Sequence, residues 1–151
     1  MKKTTMKLLP LVALLVVGVT PMRSSPEDFT VWNGVVSHIA EMQVPWHELE
    51  ADNDHLIAVS YLMENGPAEL HESQTEILVV QGGEANLVVG GAILQAEAVK
   101  PYEIRGGSIT GGTETQLRQG AIIQIRPNVP HQLKIATGKY LICTIIRIGP
   151  H

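Results

Sequence analysis

The sequence holds one cysteine, Cys143, one phenylalanine, and only 4% aromatic residues. A single thiol excludes an intramolecular disulfide in any compartment. Cys143 sits in the apolar run 140–148 and reads as a buried, inert side chain. Sparse aromatics argue against a face that binds sugars by stacking. Basic residues are also few: eleven Lys and Arg stand against fifteen Asp and Glu, for a net charge of -4. With no basic stripe, a nucleic-acid partner is not expected. There is no Gly-x-x-x-x-Gly-Lys to cradle phosphates and no Gly-x-Ser-x-Gly nucleophile turn.

No apolar run is long enough to span a bilayer as a helix. The run 8–19 is preceded by Lys2, Lys3 and Lys7 and broken by Pro21. Its length and flanks suit an export signal. Residues 1–25 therefore read as a signal peptide, cut between Pro21 and Pro26, with an uncleaved, membrane-tethered form as the rival. No cysteine ends the run, which argues against a lipoprotein. The expected location is periplasmic or secreted, with no membrane contact once the signal is removed.

What remains of the 151 residues is enough for one core and small for two. Residues 26–54 read as an N-terminal helix and linker. Val31, Val35, Ile39 and Met42 recur at helical spacing, with Asp28 or Thr30 as N-cap and Pro45 as terminator. Residues 55–151 read as β-structure. Short apolar runs at 56–63, 76–81, 86–89, 93–99, 121–125 and 140–148 are separated by turn residues, many of them glycine pairs. Such punctuation predicts an all-β sandwich or barrel. At 131–135 the alternation turns His131, Leu133 and Ile135 inward and Gln132 and Lys134 outward. The last run is apolar on both faces. Its outer face calls for cover from the N-terminal helix or from a second copy in a homodimer.

The segment Glu69-Leu70-His71-Glu72-Ser73-Gln74-Thr75-Glu76 carries the chemistry. In an extended strand Glu69 and His71 share a face, and a tight turn over residues 72–75 returns Glu76 beside them. His131 heads a distant strand whose alternate residues point inward. Two imidazoles and a carboxylate converging inside a small barrel suit a divalent transition metal: nitrogen favours Zn, Fe, Ni or Cu, and the oxygens also admit Mn. The same residues scattered around turns are also what a solvated surface looks like. Tyr61, on the strand before this segment, reads either as a pocket residue or as core. Arg105 reads either as an anion ligand or as a structural or solvated loop arginine near Glu103. His38, His47 and His55 read as surface residues, and His151 is terminal.

The stretch 69–83 resembles the first motif of the cupin superfamily: His-x-His, three or four residues, Glu, six residues, Gly. His71 matches the second His, Glu76 the Glu and Gly83 the Gly. The stretch 120–131 resembles the second motif, with Gly120 and His131 in place, Arg126 where Pro is usual and Asn128 where Gly is usual. Asn tolerates the left-handed backbone that Gly would supply. Glu69-Leu70-His71, Thr75-Glu76-Ile77, Gly90-Gly91, Glu103-Ile104-Arg105-Gly106, Gly111-Gly112 and Pro130-His131 are similar to a group of small exported bacterial cupins, a likeness that supplies no one activity.

The resemblance implies a small double-stranded β-barrel, or jelly roll, with a short N-terminal helix. It implies a divalent metal ion (Mn, Fe, Ni or Zn) at His71, Glu76 and His131, and a small-molecule ligand. Oxidoreductase or isomerase chemistry is the family-level expectation; a non-catalytic binding protein and a dimeric scaffold are the alternatives. Glu69 stands where the family has its first His. It can ligate, orient His71, or mark a site that has lost its metal. The Asn sometimes found four residues beyond the second-motif His is replaced by Ile135.

Overall fold

The computed structural model describes residues 29–150. The expected signal peptide and His151 lie outside the described residues, and from Trp32 onward the chain forms one compact unit. The helix α1 (Val35–Met42) begins later than the stripe suggested. Gly34, at φ 71, caps it in place of Asp28 or Thr30, because Asn33-Gly34 turns the backbone out of the helical region. Gln43, at φ 50, ends it two residues before Pro45. Ile39 is fully buried; Met42 is exposed, since the helix rests through Val35, Val36, Ile39 and Ala40. No helix among the described residues is long and apolar enough to cross a membrane.

The strands follow in order: β1 (His47–Ala51), β2 (His55–Leu62), β3 (Ala68–His71), β4 (Thr75–Val89), β5 (Ala92–Leu94), β6 (Glu97–Lys100), β7 (Glu103–Gly106), β8 (Ser108–Thr110), β9 (Thr113–Arg118), β10 (Ile122–Ile125), β11 (His131–Lys134) and β12 (Leu141–Ile148). One layer runs β1-β2-β12-β4-β10 and the other β6-β7-β3-β11-β4-β9, while β5 and β8 pair as a separate ribbon. Every pairing is antiparallel, and the sheet curls into the expected jelly roll.

β4 belongs to both layers. Residues 75–83 pair with β12, and residues 84–89 pair with β9. The sequence suggests two strands broken at Gly82-Gly83, but the chain continues as one. A bulge opposite Ile142 and Cys143, with Gly83 at φ 74, bends the ladder without ending it. The apolar run 93–99 divides in the opposite sense: Gln95, at φ 56, separates β5 from β6. β1 and β9 lack an apolar alternation to announce them. Each is polar on its exposed face, and Leu117 is the one buried residue of β9.

Leu78, Val80, Leu87, Leu117, Leu141 and Cys143 form the core between the layers. On the outer face of β2 and β12, Val59, Tyr61 and Ile142 pack under α1, so the helix supplies cover for the last strand. Tyr61 belongs to this outer cluster, stacked on Tyr140 with ring centroids 5.4 Å apart. Gln132 departs from the expected alternation and is buried. Its amide nitrogen donates to the Gly66 carbonyl at 2.9 Å and its oxygen accepts from the Ile109 N–H at 3.3 Å, because the β5–β8 ribbon folds over β11 there.

A Cβ at Gly83 would overlap the Tyr140 carbonyl oxygen, and the backbone there is left-handed. Gly83→Ala is expected to cost more than about 2 kcal/mol in urea unfolding; an unchanged midpoint would refute this account of the bend. Cys143 is fully buried, and burial pushes its thiol up to about 12, with Glu76 adding to the rise. Reaction with a maleimide at pH 8 should be undetectable until the protein is unfolded.

Candidate metal centre

Cross-strand register assembles the site. His71 on β3 lies opposite Glu103 on β7. Glu69 lies opposite Arg105 on β7 and, on its other side, opposite His131 on β11. Glu76 on β4 lies opposite Arg147 on β12. Directly opposed residues have their Cβ atoms about 5 Å apart, so register alone gathers the charges. The turn between β3 and β4 holds His71 and Glu76 together. It is pinned by the segment just beyond β12: the Ser73 hydroxyl donates to the Pro150 carbonyl at 2.6 Å, and the Gln74 amide to that of Gly149 at 3.1 Å. Asn128, at φ 62, adopts the backbone expected of it and donates its side-chain amide to the Glu72 carbonyl at 3.0 Å. The second motif is thereby locked onto the first.

The two imidazoles lie 5.5 Å apart between ring centroids. His71 Nε2 is 3.3 Å from Glu76 Oε2 and 3.5 Å from Glu69 Oε2, and His131 Nε2 is 3.2 Å from Glu76 Oε1. Glu69, His71 and His131 each offer an atom within 4.8 Å of the others, a spacing that could hold a metal ion. His131 Nδ1 donates to the Val129 carbonyl at 3.0 Å, which turns Nε2 toward Glu76. Both ring nitrogens of His71 are buried without a hydrogen-bond partner. The jelly roll, the two motifs and this convergence occur together.

Solved structures share the architecture. A protein from Bacillus halodurans superposes with a TM-score of 0.59 at 12% identity, covering 83% of this chain and 84% of that one. A cupin protein from Bacteroides fragilis gives 0.51 at 16% identity, covering 71% and 78%. The chain has the cupin fold. A DMSP lyase from Ruegeria pomeroyi gives 0.50 at 14% identity, covering 69% of this chain and 46% of the lyase, so the match spans under half of that enzyme. No protein-family model and no curated protein matches the sequence.

Two residues that the motifs leave out complete the charge cluster. Arg147 Nε donates to Glu76 Oε2 at 2.6 Å, and Nη2 donates to Glu69 Oε2 at 3.2 Å. Glu103, almost fully buried, lies 3.7 Å from His71 Nδ1 and takes Lys100 at 3.1 Å and Arg105 Nε at 2.5 Å. The signal for Arg147 is plain in retrospect: it is the one charge in the run 140–148. Of the other histidines, His38 and His47 are exposed, and His55 pairs with Asp52 at 2.9 Å away from the site.

Burial works against the charged form of Glu76, yet the His131 and His71 rings and the Arg147 guanidinium overcome it and hold the carboxyl well below its usual range. Burial likewise pushes the His71 imidazole down, but Glu69 and Glu76 outweigh it and the net shift is upward. For Glu103, burial is outweighed by Lys100 and Arg105, and the shift is downward. A cavity of about 480 Å³ opens onto Glu69, Glu76, His131, Arg105 and Arg147. Leu56, Leu62, Leu78, Leu133 and Ile145 line its apolar side, with Trp46 on its wall. That size and mixture suit a small organic molecule.

Glu76→Gln removes the charge that balances buried Arg147 and should cost about 3 kcal/mol at pH 7. Because folding depresses the Glu76 carboxyl, its contribution is present above the ordinary value of 4.5 and is lost as pH falls through the folded value. Urea unfolding between pH 7 and pH 3 should show the wild type losing its advantage over the variant. Parallel profiles would contradict this.

Proposed function

We propose that this cupin binds a divalent metal ion through His71, His131, Glu76 and Glu69 and acts on a small organic molecule held in the adjoining cavity. One observation carries the reading. His131 is oriented by Val129 so that Nε2 faces Glu76 Oε1 at 3.2 Å. A neutral imidazole in that orientation presents a lone pair to a carboxylate, which is stable only with a cation, a proton or a metal, shared between them. The unpartnered nitrogens of His71 make the same demand beside it. Ligands about 2.1 Å from one ion stand roughly 3.0–3.4 Å apart, close to the 3.2, 3.3 and 3.5 Å separations found here. The mixed nitrogen and oxygen donors fit Mn, Fe, Ni or Zn.

A metal bound here supplies Lewis acidity or redox chemistry. The chain's own residues do the rest. Glu76 and Glu69 fix the charge at the cavity floor, Leu78 and Ile145 keep the approach dry, and Arg105 presents a half-exposed guanidinium to the ligand. Oxidoreductase or isomerase chemistry is the finer part of the proposal. The likeness to a DMSP lyase supports only that this fold accommodates enzymes. The basic and apolar residues 1–25 support export as a further part of the same reading.

Arg147 favours one rival. A guanidinium already neutralising Glu76 and Glu69 suits a metal-free pocket that binds without turnover. Metal content separates the two. Wild-type protein reconstituted singly with Mn, Fe, Ni or Zn should retain near one ion per chain by mass spectrometry, and His131→Ala far less. Equal and negligible retention in both would leave the binding-only reading.

A further inference from the structure

Arg147 stands on the same oxygens that a metal would use. Its Nε donates to Glu76 Oε2, the atom 3.3 Å from His71 Nε2, and its Nη2 donates to Glu69 Oε2, the atom 3.5 Å from the same nitrogen. We propose that Arg147 is the resident counter-ion of this site, holding its two carboxylates in the metal-free protein and weakening its affinity for a divalent ion. The inference rests on the metal reading above and adds how that site is regulated.

Three observations support it. The first is charge. Glu69, Glu76 and Glu103 are matched by Arg147, Arg105 and Lys100, so the cluster carries no surplus negative field to draw in a divalent cation. The second is confinement. The Arg147 side chain is only 7% exposed, opposite Glu76 in register, and its guanidinium carbon lies 5.8 Å from the Trp46 ring centre. An arginine stays charged at any pH the fold survives, so acid or base cannot remove it from competition. The third is connectivity. Arg147 lines the cavity, so an ion that draws Glu76 and Glu69 toward itself must loosen the guanidinium and alter the wall that meets the ligand. Metal loading and the shape of the cavity are then one equilibrium.

The obvious rival is that Arg147 orients Glu76 for the metal. The two roles predict opposite signs. Removing a residue that orients a ligand weakens metal binding about 10–100-fold. Removing a competitor strengthens it. The test uses the full chain stripped with chelator, titrated with Zn(II) and separately with Mn(II) chloride, and followed by calorimetry and by the metal-induced rise in melting temperature. Arg147→Met should bind at least about tenfold tighter than wild type and show the larger thermal rise, because its metal-free form is left with uncompensated carboxylates. Arg147→Lys keeps a charge but has one compact ammonium that cannot span both carboxylates. It should tighten binding by less, in the same direction, and it carries the test if the methionine variant does not fold by circular dichroism. Equal or weaker binding in the variants overturns the inference while leaving the metal reading intact. No binding by wild type or by any folded variant overturns both.

Discussion

Glu76 and Arg147 face each other across two paired strands inside the barrel, and the remaining charges of the site are arranged around that contact. Taking a carboxylate and a guanidinium out of water is costly, and their attraction repays it only where geometry and further hydrogen bonds are favourable. Here the acid is shared among Arg147, His71 and His131, and the guanidinium reaches Glu69 as well. Neither group is left alone with its charge. Among the described residues the buried acidic, basic and histidine side chains all belong to this cluster, while Ser60, Gln74 and Gln132 are the uncharged polar groups buried outside it, so charged chemistry is confined to one place in the interior.

The confinement follows from strand order. β4 runs through both layers, and its first half carries Glu76 while its second half pairs with the strand headed by His131. A single bent strand thus spans the two motifs. The β3–β4 turn then sets His71 beside Glu76, and the register of β3 with β7 and β11 brings Glu103, Arg105 and His131 into range. Little of this depends on long flexible side chains reaching across space. Neighbours in a ladder are close because the backbone makes them so.

Some of this arrangement is legible in the sequence and some is not. Glycine-punctuated apolar runs point to a β-barrel, and the spacing of His71, Glu76, Gly83 and His131 picks out two imidazoles and a carboxylate that the fold does bring together. Glu103 stands in a segment that carries the resemblance and Arg147 is the one charge in its run, but their roles escape because these lie in which residue stands opposite, and register is not visible along one strand. Gly82-Gly83 misleads for a related reason: the same residues end a strand or bend it, depending on whether partner strands continue past them. Gln132 breaks its alternation because a distant ribbon covers it and, together with the Gly66 carbonyl of the loop before β3, supplies three hydrogen-bonding groups, a tertiary fact with no local signature.

The backbone just beyond β12 has a role out of proportion to its size. Residues 149 and 150 clasp Ser73 and Gln74, at the crest of the turn whose two feet are His71 and Glu76, and the Gly149 N–H reaches the Asp54 carbonyl at 2.7 Å. β12 itself carries Arg147. Tension, truncation or a bulky fusion acting on this part of the chain would therefore reach the candidate ligands along two routes, through the turn and through the guanidinium. This segment behaves as a tether on the spacing of the site, and its attachment is part of what keeps the carboxylate and the imidazole at their separation.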